Sequence, residues 1–215
     1  MSGKGLILDK VSITLDGRVL VAVTHHVAPG EVLTLMGPSG SGKSTLLAYI
    51  GGFLDPAFKG TGRVIADGVE LTGLKPEERH AGILFQDALL FPHMTVAGNL
   101  LFAMPPQVGP RAMRAAMAEA ALEEVGMAGL GGRDPDTLSG GQKARVALAR
   151  VLLSAPRTLL LDEPFSKLDA GLRQQMRVLV FSSARKKGLP TILVTHDEAD
   201  AVAAGGPIIR IGEDQ

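Results

Sequence analysis

Hydrophobic and polar positions alternate along the first thirty residues of the chain. Hydrophobic residues occur at every second position within three short stretches: Leu6 and Leu8, then Val11, Ile13 and Leu15, then Val19, Val21 and Val23. A period of two predicts half-buried β-strands. Further on, the segments Val64–Ala66 and Val69–Leu71 flank Asp67-Gly68, a pair typical of a tight hairpin turn. We therefore expect antiparallel strands in the N-terminal part of the chain.

Three other apolar runs do not alternate. They are Val32–Met36, Thr158–Leu161 and Thr191–Val194. Continuous apolar runs of this length are typical of strands in a parallel sheet that is covered on both faces. Helical patterns separate these runs, and alternation of strands with helices predicts an α/β fold with a mainly parallel sheet.

The middle of the chain has the pattern of a helix. A segment rich in alanine, methionine and glutamate runs from Arg111 to Val125, with Pro110 before it and Gly126 after it. Proline at the start and glycine at the end are typical helix boundaries. Apolar residues recur every four positions and predict a stripe that faces the core, formed by Met113, Met117, Ala121 and Val125.

These patterns predict one domain over residues 1–215, because a chain of this length suits a single α/β core. Residues 88–153 would form a helical lobe inserted into an α/β lobe of residues 1–87 and 154–215. We expect a soluble protein, since no run of 18 apolar residues could span a bilayer.

Charge and cysteine content exclude several classes of function. The chain has 22 basic and 22 acidic residues, so it lacks the positive charge expected of a general nucleic-acid binder. It has no cysteine, which excludes disulfides and thiolate metal sites.

A glycine-rich loop follows the strand predicted at Val32–Met36 and has the spacing G-x-x-x-x-G-K-[ST]. In such loops backbone N–H groups surround phosphate oxygens, and the next helix adds its positive end. Lys43 would reach the β- and γ-phosphates, and the Ser44 hydroxyl would bind Mg²⁺. The strand, the spacing and the Lys-Ser pair together disfavour a simple helix cap. The predicted phosphate-binding residues are Gly37, Pro38, Ser39, Gly40, Ser41, Gly42, Lys43, Ser44 and Thr45.

Two adjacent carboxylates, Asp162 and Glu163, follow the strand predicted at Thr158–Leu161. Ligands of open α/β sheets bind at the carboxyl ends of strands. Neighbouring strand residues point in different directions, so the two acids are expected to have different roles. We assign Asp162 to the metal and Glu163 to the attacking water as general base. A solvated acidic turn is the alternative.

A second candidate anion site lies at the start of another predicted helix. Ser139 and Gln142 have the spacing of a capping box. The same serine hydroxyl, the N–H groups of Gly140 and Gly141, and the helix N-terminus could also bind phosphate. If both half-sites cannot reach one ATP within a chain, two chains must face each other head to tail.

In their order, these motifs resemble the nucleotide-binding subunit of ATP-binding-cassette (ABC) transporters, which are P-loop NTPases with a RecA-like fold. The matches cover nearly the whole chain: residues 37–45, Gln86, the signature at 138–142, the acidic strand end at 159–164, Asp169 and His196. The resemblance implies that Gln86 lies near Mg²⁺ and the attacking water. It also implies that Ser139 and Gly141 bind the γ-phosphate of the opposite chain's ATP. Asp169 would bridge the dimer, and His196 would contact the γ-phosphate.

The resemblance therefore implies an ATPase that uses ATP and Mg²⁺, works as a dimer, most simply a homodimer, and drives a separate permease. The stretches Asp162–Ser166 and Phe85–Asp87 resemble importers of small solutes, which also require a solute-binding protein. Such a subunit would lie at the cytoplasmic face of the inner membrane, held there by its permease. The chain ends about where the catalytic domain should end, so no C-terminal regulatory domain is expected. The segment Phe91–Val96 resembles the part of the family that receives the permease.

The sequence departs from the family pattern in two places. Family members have an aromatic residue before the phosphate loop that stacks on adenine, but residues 1–36 contain no Phe, Tyr or Trp. We therefore expect weak base selectivity, with Leu15 or Arg18 as a poor substitute for the aromatic ring. In addition, Lys167 occupies a position where a small residue is usual.

Two other functions compete with transport. A soluble ABC-type ATPase that serves DNA repair or translation usually carries long coiled-coil insertions or two cassettes, and this chain has neither. A nucleotide-binding module without hydrolysis is the second alternative. The residues required for chemistry are all present, which argues against it: Lys43, Gln86, Asp162, Glu163 and His196.

Overall fold

The structure, a computed structural model, describes residues 4–212, so the first three and last three residues of the predicted domain lie outside it. It confirms the α/β class. The strands are β1 (Leu6–Leu15), β2 (Arg18–Val27), β3 (Val32–Met36), β4 (Phe58–Ala66), β5 (Val69–Glu70), β6 (Ala81–Leu84), β7 (Thr158–Asp162), β8 (Thr191–Val194) and β9 (Ile208–Arg210). The α-helices are α1 (Lys43–Gly51), α2 (Pro76–Arg79), α3 (Val96–Ala103), α4 (Arg111–Glu124), α5 (Gly140–Leu153), α6 (Ala170–Lys186) and α7 (Glu198–Ala204).

An antiparallel sheet has the strand order β2-β1-β4-β5. The predicted hairpin is confirmed, because Ala66 pairs with Val69 across the turn. In β1 the buried positions shift from even to odd numbers after Leu8, and the pairing register shifts between Leu8 and Val11. A β-bulge inserts one unpaired residue and restores the inward face. Val19 departs from the predicted pattern, since it is exposed near the start of β2.

A second sheet has the order β6-β7-β8-β3-β9. Strands β3, β7 and β8 are the three apolar runs of the sequence, and their pairings are parallel. All residues of β3 and β8 are buried, as are the first four of β7. The absence of alternation thus reflects burial on both faces. Because β7 and β8 are parallel neighbours, the residues that follow them meet at one edge of the sheet.

The described chain forms two compact units. Unit 1 contains residues up to Ile83, Arg157–Glu163, and Phe181 onward, and it includes both sheets. Unit 2 contains Leu84–Pro156 and Pro164–Val180. The division differs from the expected lobes in three segments, because residues 84–87, 154–156 and 164–180 group with the helical unit. The last of these segments includes most of α6.

In unit 2, helices α3, α4 and α5 pack against one another. Helix α4 occupies the predicted segment, but the stripe assigned to it is partly wrong. Met113 is exposed, and the fully buried positions of α4 are Ala118 and Leu122. Val125, just after the helix, is buried as expected. The period of the pattern was sufficient to identify the helix, but the face is set by the helices that pack against it.

No helix within residues 4–212 has both the length and the apolar character needed to cross a membrane.

Candidate active site

The glycine-rich loop connects β3 to α1 in unit 1. Gly42 is the N-cap residue of α1 and has a φ of 87°, in the left-handed region that favours glycine. Gly37 has a φ of 153°, and a Cβ atom there would collide with the carbonyl oxygen of Ile211. No side chain caps α1, so its first-turn N–H groups remain available to an anion.

Lys43, the first residue of α1, is only 5% exposed. Its ammonium group donates hydrogen bonds to the carbonyl oxygens of Gly37 and Pro38, at 2.8 and 2.7 Å. A third contact, at 3.4 Å, reaches the hydroxyl of Ser41. These oxygens hold the positive charge within the loop. The arrangement is suited to phosphate, because a phosphate oxygen can take the place of a carbonyl as acceptor.

Ser44 and Asp162 are brought together from positions 118 residues apart in the chain. The Ser44 hydroxyl donates a hydrogen bond of 2.8 Å to Oδ1 of Asp162, the last residue of β7. Burial raises the pKa of Asp162 above its ordinary value. The Glu163 carboxylate also raises this pKa, whereas the Ser44 hydrogen bond and the charge of Lys43 lower it.

Glu163 differs from Asp162 in both backbone and contacts. Its φ is 47°, a left-handed conformation that costs a non-glycine residue about 1 kcal/mol or more. Its Oε1 lies 3.3 Å from Nδ1 of His196, which follows β8. Glu163 also lines the pocket of the phosphate loop, together with Lys43 and Ser44. The two adjacent carboxylates therefore face different partners.

This pocket has a volume of about 370 Å³ and lies within unit 1. Besides the loop, three apolar side chains line it: Leu15, Leu20 and Phe58. Leu15 was expected from the sequence, whereas Arg18 is not among the lining residues. Phe58 was missed. It begins β4 directly opposite Leu15, and a pairing across 43 residues leaves no local signal in the sequence.

The signature segment lies in unit 2, at the start of α5. The predicted capping box is present. The Ser139 hydroxyl accepts a hydrogen bond from the Gln142 N–H, and the Gln142 side chain accepts one from the Ser139 N–H. Ser139 and Gly140 are exposed, while Gly141 is buried beneath Leu172. A Cβ atom at Gly141 would collide with the side chain of Leu172, so a larger residue here would require Leu172 to move.

The other expected residues of unit 2 are near the surface. The Asp169 side chain is exposed and accepts a hydrogen bond of 3.0 Å from the Leu172 N–H, in the first turn of α6. Gln86 is exposed and lines a groove that Gly140 and Lys167 also line. Lys167 contacts both carboxylate oxygens of Asp87, at 2.6 and 2.7 Å. Lys167 therefore forms an ion pair with the residue directly after Gln86.

Arg150, near the end of α5, was also missed as a contact residue. Its guanidinium lies 5.4 Å from the centre of the Phe91 ring and donates hydrogen bonds to the carbonyl oxygens of Ala88 and Leu89. Burial lowers the pKa of Arg150. The helix that begins with the signature thus also holds the segment that follows Gln86.

The residues of unit 1 fit a magnesium ion that arrives with phosphate. A hydroxyl and one carboxylate, those of Ser44 and Asp162, are the oxygen donors that Mg²⁺ prefers, and substrate phosphates and water usually complete its shell. Across residues 4–212 no cluster of three or more His, Cys, Asp or Glu side chains could hold a metal by itself. This donor set fits a metal bound together with nucleotide.

The comparison with protein families identifies the family of the chain. Residues 20–166 match the model of the ABC transporter family. The chain belongs to the ABC transporter family. The match begins in β2 and ends just beyond the two carboxylates, so it includes the phosphate loop and the signature. The family expected from the sequence is confirmed, and the chain is an ATP-binding subunit with the ATPase function of that family.

Individual relatives support the assignment, and two of them are of similar length. The chain is 47% identical to the uncharacterized ABC transporter ATP-binding protein YnjD of Escherichia coli, over 92% of this chain and 91% of that protein. It is 48% identical to the thiamine import ATP-binding protein ThiQ of Cereibacter sphaeroides, over 90% and 82%. The spermidine/putrescine import ATP-binding protein PotA of Lawsonia intracellularis is 40% identical, and the chain spans only 58% of its length.

A solved structure agrees with the fold. The dimeric, post-hydrolysis state of the ATP-binding cassette MJ0796, bound to ADP and Pi, has a TM-score of 0.77 and 30% identity. The alignment covers 96% of this chain and 94% of that one.

Proposed function

We propose that the chain hydrolyses ATP at composite sites between two copies of itself and thereby drives small-solute import through a separate permease. One observation carries the catalytic part of the proposal: a single pocket of unit 1 joins the phosphate loop to Glu163, and Glu163 contacts His196. Binding residues and a candidate base are therefore adjacent before any partner is added.

The phosphates would bind to the loop amides and the N-terminus of α1, and Lys43 would transfer its hydrogen bonds from loop carbonyls to phosphate oxygens. Ser44 and Asp162 would hold Mg²⁺, which neutralises phosphate charge when bound. Glu163 would accept a proton from the attacking water, and general-base help of this kind contributes about 10²–10⁴-fold. His196 would orient Glu163 and contact the γ-phosphate.

The second half of each site would come from the other chain. Ser139 and Gly140 are exposed at the start of α5, where a hydroxyl and helix N–H groups can meet the γ-phosphate of a partner's ATP. Gly141 and Gln142 would shape this surface, and exposed Asp169 would bridge the two copies. The dimeric state of the MJ0796 cassette supports this arrangement.

The permease would bind unit 2. Exposed apolar side chains of unit 2 include Phe85 and Leu89, which lie close to Gln86 in the sequence, and Phe102. Phe102 packs edge-on against Phe91, at 5.0 Å between ring centres, and Phe91 begins the segment that resembles the permease-receiving part of the family. Import is supported by the names of relatives such as ThiQ and PotA. An importer of this kind would lie at the cytoplasmic face of the inner membrane and use a solute-binding protein.

The test uses the Glu163→Gln variant, which keeps the shape of the side chain but cannot act as a base. Light scattering during size-exclusion chromatography would measure its mass with and without ATP and Mg²⁺. We expect a dimer only with nucleotide, and hydrolysis reduced by about 10²-fold or more. Ser139→Ala added to Glu163→Gln should weaken dimerisation while ATP still binds.

A matched control is Ser183→Ala, which changes a serine of α6 outside the proposed site. Persistence of the dimer in the double variant would contradict the composite site. Wild-type hydrolysis by Glu163→Gln would contradict the assignment of the base. Co-purification with a membrane permease, and stimulation of hydrolysis by that permease, would separate transport from a soluble ATPase function.

A further inference from the structure

The position of Phe58 is fixed by structure on both sides of it. It is the first residue of β4 and pairs with Leu15, the last residue of β1. The turn before it is closed by hydrogen bonds from the N–H groups of Ala57 and Phe58 to the side chain and carbonyl of Asp55, at 2.8 and 3.0 Å. Phe58 is half-buried and packs against the core. Its ring is therefore held at the edge of the pocket and is not a freely moving surface group.

The pocket that Phe58 lines has two chemically different groups of residues. Loop residues from Ser39 to Thr45, with Glu163, are polar and include the Lys43 ammonium group. Leu15, Leu20 and Phe58 are apolar. A nucleoside triphosphate has the same division, with charged phosphates and a flat base. The volume of about 370 Å³ lies within the range of small-molecule sites.

We infer that Phe58 provides the aromatic surface on which the base of the bound nucleotide stacks. The inference rests on the proposed binding of ATP to the phosphate loop. Residues 1–36 contain no Phe, Tyr or Trp, and their two histidines, His25 and His26, line a different pocket. The register of β1 and β4 places the aromatic ring of Phe58 beside Leu15, on the neighbouring strand. Leu15 and Leu20 complete an apolar rim around it.

Stacking predicts how the site discriminates between bases. Every base has a π-face, so stacking on an aromatic ring tolerates different bases. Adenine and guanine nucleotides should therefore depend on Phe58 to a similar degree. A base-free polyphosphate should not depend on it, because only the loop would hold such a ligand.

The experiment compares the intact chain with Phe58→Ala by calorimetry, using ATP, GTP and inorganic tripolyphosphate as probes. We expect Phe58→Ala to weaken ATP and GTP binding by about tenfold or more, the effect of losing one stacked base. Binding of tripolyphosphate should change less than about twofold. Phe58→Trp should bind ATP at least as tightly as the native chain, because it keeps an aromatic face.

The matched control is Phe53→Ala, which removes a phenylalanine from the same connection between α1 and β4. Phe53 is exposed and does not line the pocket. Its removal should leave ATP and tripolyphosphate binding unchanged. An equal loss of both ligands in Phe58→Ala would overturn the inference, since it would indicate a general structural defect. Unchanged ATP binding in a folded Phe58→Ala would also overturn it.

Phe58→Leu covers the case in which alanine at this position prevents folding. Leucine keeps apolar volume but has no aromatic face, so ATP binding should still fall while tripolyphosphate binding holds. Adding Leu15→Tyr to this variant places a ring on the paired strand and should restore much of the ATP affinity. Native chain that binds neither ATP nor tripolyphosphate would refute the proposed function itself. ATP binding that falls in Lys43→Ala but not in Phe58→Leu would refute only the role of Phe58.

Discussion

Nδ1 of His196 lies 3.3 Å from Oε1 of Glu163. The contact follows from the pairing of two parallel strands. Asp162 of β7 is in register with Val194 of β8, and the Glu163 N–H donates a hydrogen bond of 3.0 Å to the Val194 carbonyl. Glu163 and His196, which follow these two strands, therefore lie at the same edge of the sheet. A candidate base and a residue able to orient it are therefore adjacent by topology.

This relationship predicts that the two side chains act as a functional pair. His196→Ala should lower the rate of ATP hydrolysis by up to about 10²-fold, the effect of misplacing a catalytic group. ATP binding should change little, because the phosphate loop is untouched. In the double variant that combines His196→Ala with Glu163→Gln, the fold reduction in rate should be smaller than the product of the two single reductions. Steady-state rates and ATP affinity measure this, with His25→Ala as a histidine control outside the pocket. Multiplicative losses would contradict the pairing.

The raised pKa of Asp162 predicts a pH-dependent stability effect. The folded state holds this proton more tightly than the unfolded state, so the ionised carboxylate opposes folding once the pH exceeds the folded pKa. This destabilisation is complete above the pKa of the folded state, and it disappears as the pH falls to 3.8, the ordinary pKa of an aspartate. Asp162→Asn keeps an oxygen that accepts the Ser44 hydrogen bond but removes the charge. It should unfold at a higher temperature than the native chain at pH 7.

Thermal unfolding between pH 4 and pH 8 measures the difference between the two proteins. The advantage of Asp162→Asn should narrow as the pH falls, while its ATPase activity should be lost at every pH. A constant difference in unfolding temperature across this range would show that the charge of Asp162 is not its origin. Glu198→Gln, at an exposed surface ion pair, serves as the control.

Arg79 is a buried residue that supports the nucleotide-binding helix. Only 6% of it is exposed, and it donates hydrogen bonds to the carbonyls of Tyr49 and Ile50 in the last turn of α1, and of Thr72 and Leu74. Arg79→Ala leaves these acceptors without their partner. We expect a loss of about 2–4 kcal/mol in the free energy of unfolding.

Urea denaturation compares Arg79→Ala with Arg63→Ala, which breaks an exposed ion pair with Asp9. The control should cost much less than Arg79→Ala, because exposed ion pairs contribute little to stability. Arg79→Lys should be intermediate, because one ammonium group cannot reach all four carbonyls. Equal losses for the two alanine variants would contradict the role assigned to Arg79.

Lys167 and Asp87 form a close ion pair at the surface of unit 2. Both side chains are more than half exposed, so their coupling should be only about 0.2–1 kcal/mol. A double-mutant cycle with Lys167→Ala and Asp87→Asn, measured by denaturation, should give this value in low salt. The coupling should decrease in 1 M salt, where charges are screened within about 3 Å. A larger coupling that is insensitive to salt would show that the pair acts through packing.

Local patterns in the sequence were sufficient for the main elements of the fold. Strands β3, β7 and β8 were predicted because an uninterrupted apolar run has few alternatives to a strand buried on both faces. The phosphate loop was predicted because its glycines, lysine and serine are contiguous. The capping box at Ser139 depends on residues only three positions apart. Each of these signals is complete within one short segment.

The sequence by itself therefore determined the family, the α/β class and the residue types that the chemistry requires. The tertiary structure decided which of these residues meet. It placed Ser44 against Asp162 across 118 residues, and Lys167 against Asp87 across 80. It also set the strand register that brings Phe58 beside Leu15 and the left-handed backbone of Glu163. The physical reason is that register and packing depend on the whole core, so contacts between distant residues leave no periodic signal in either segment.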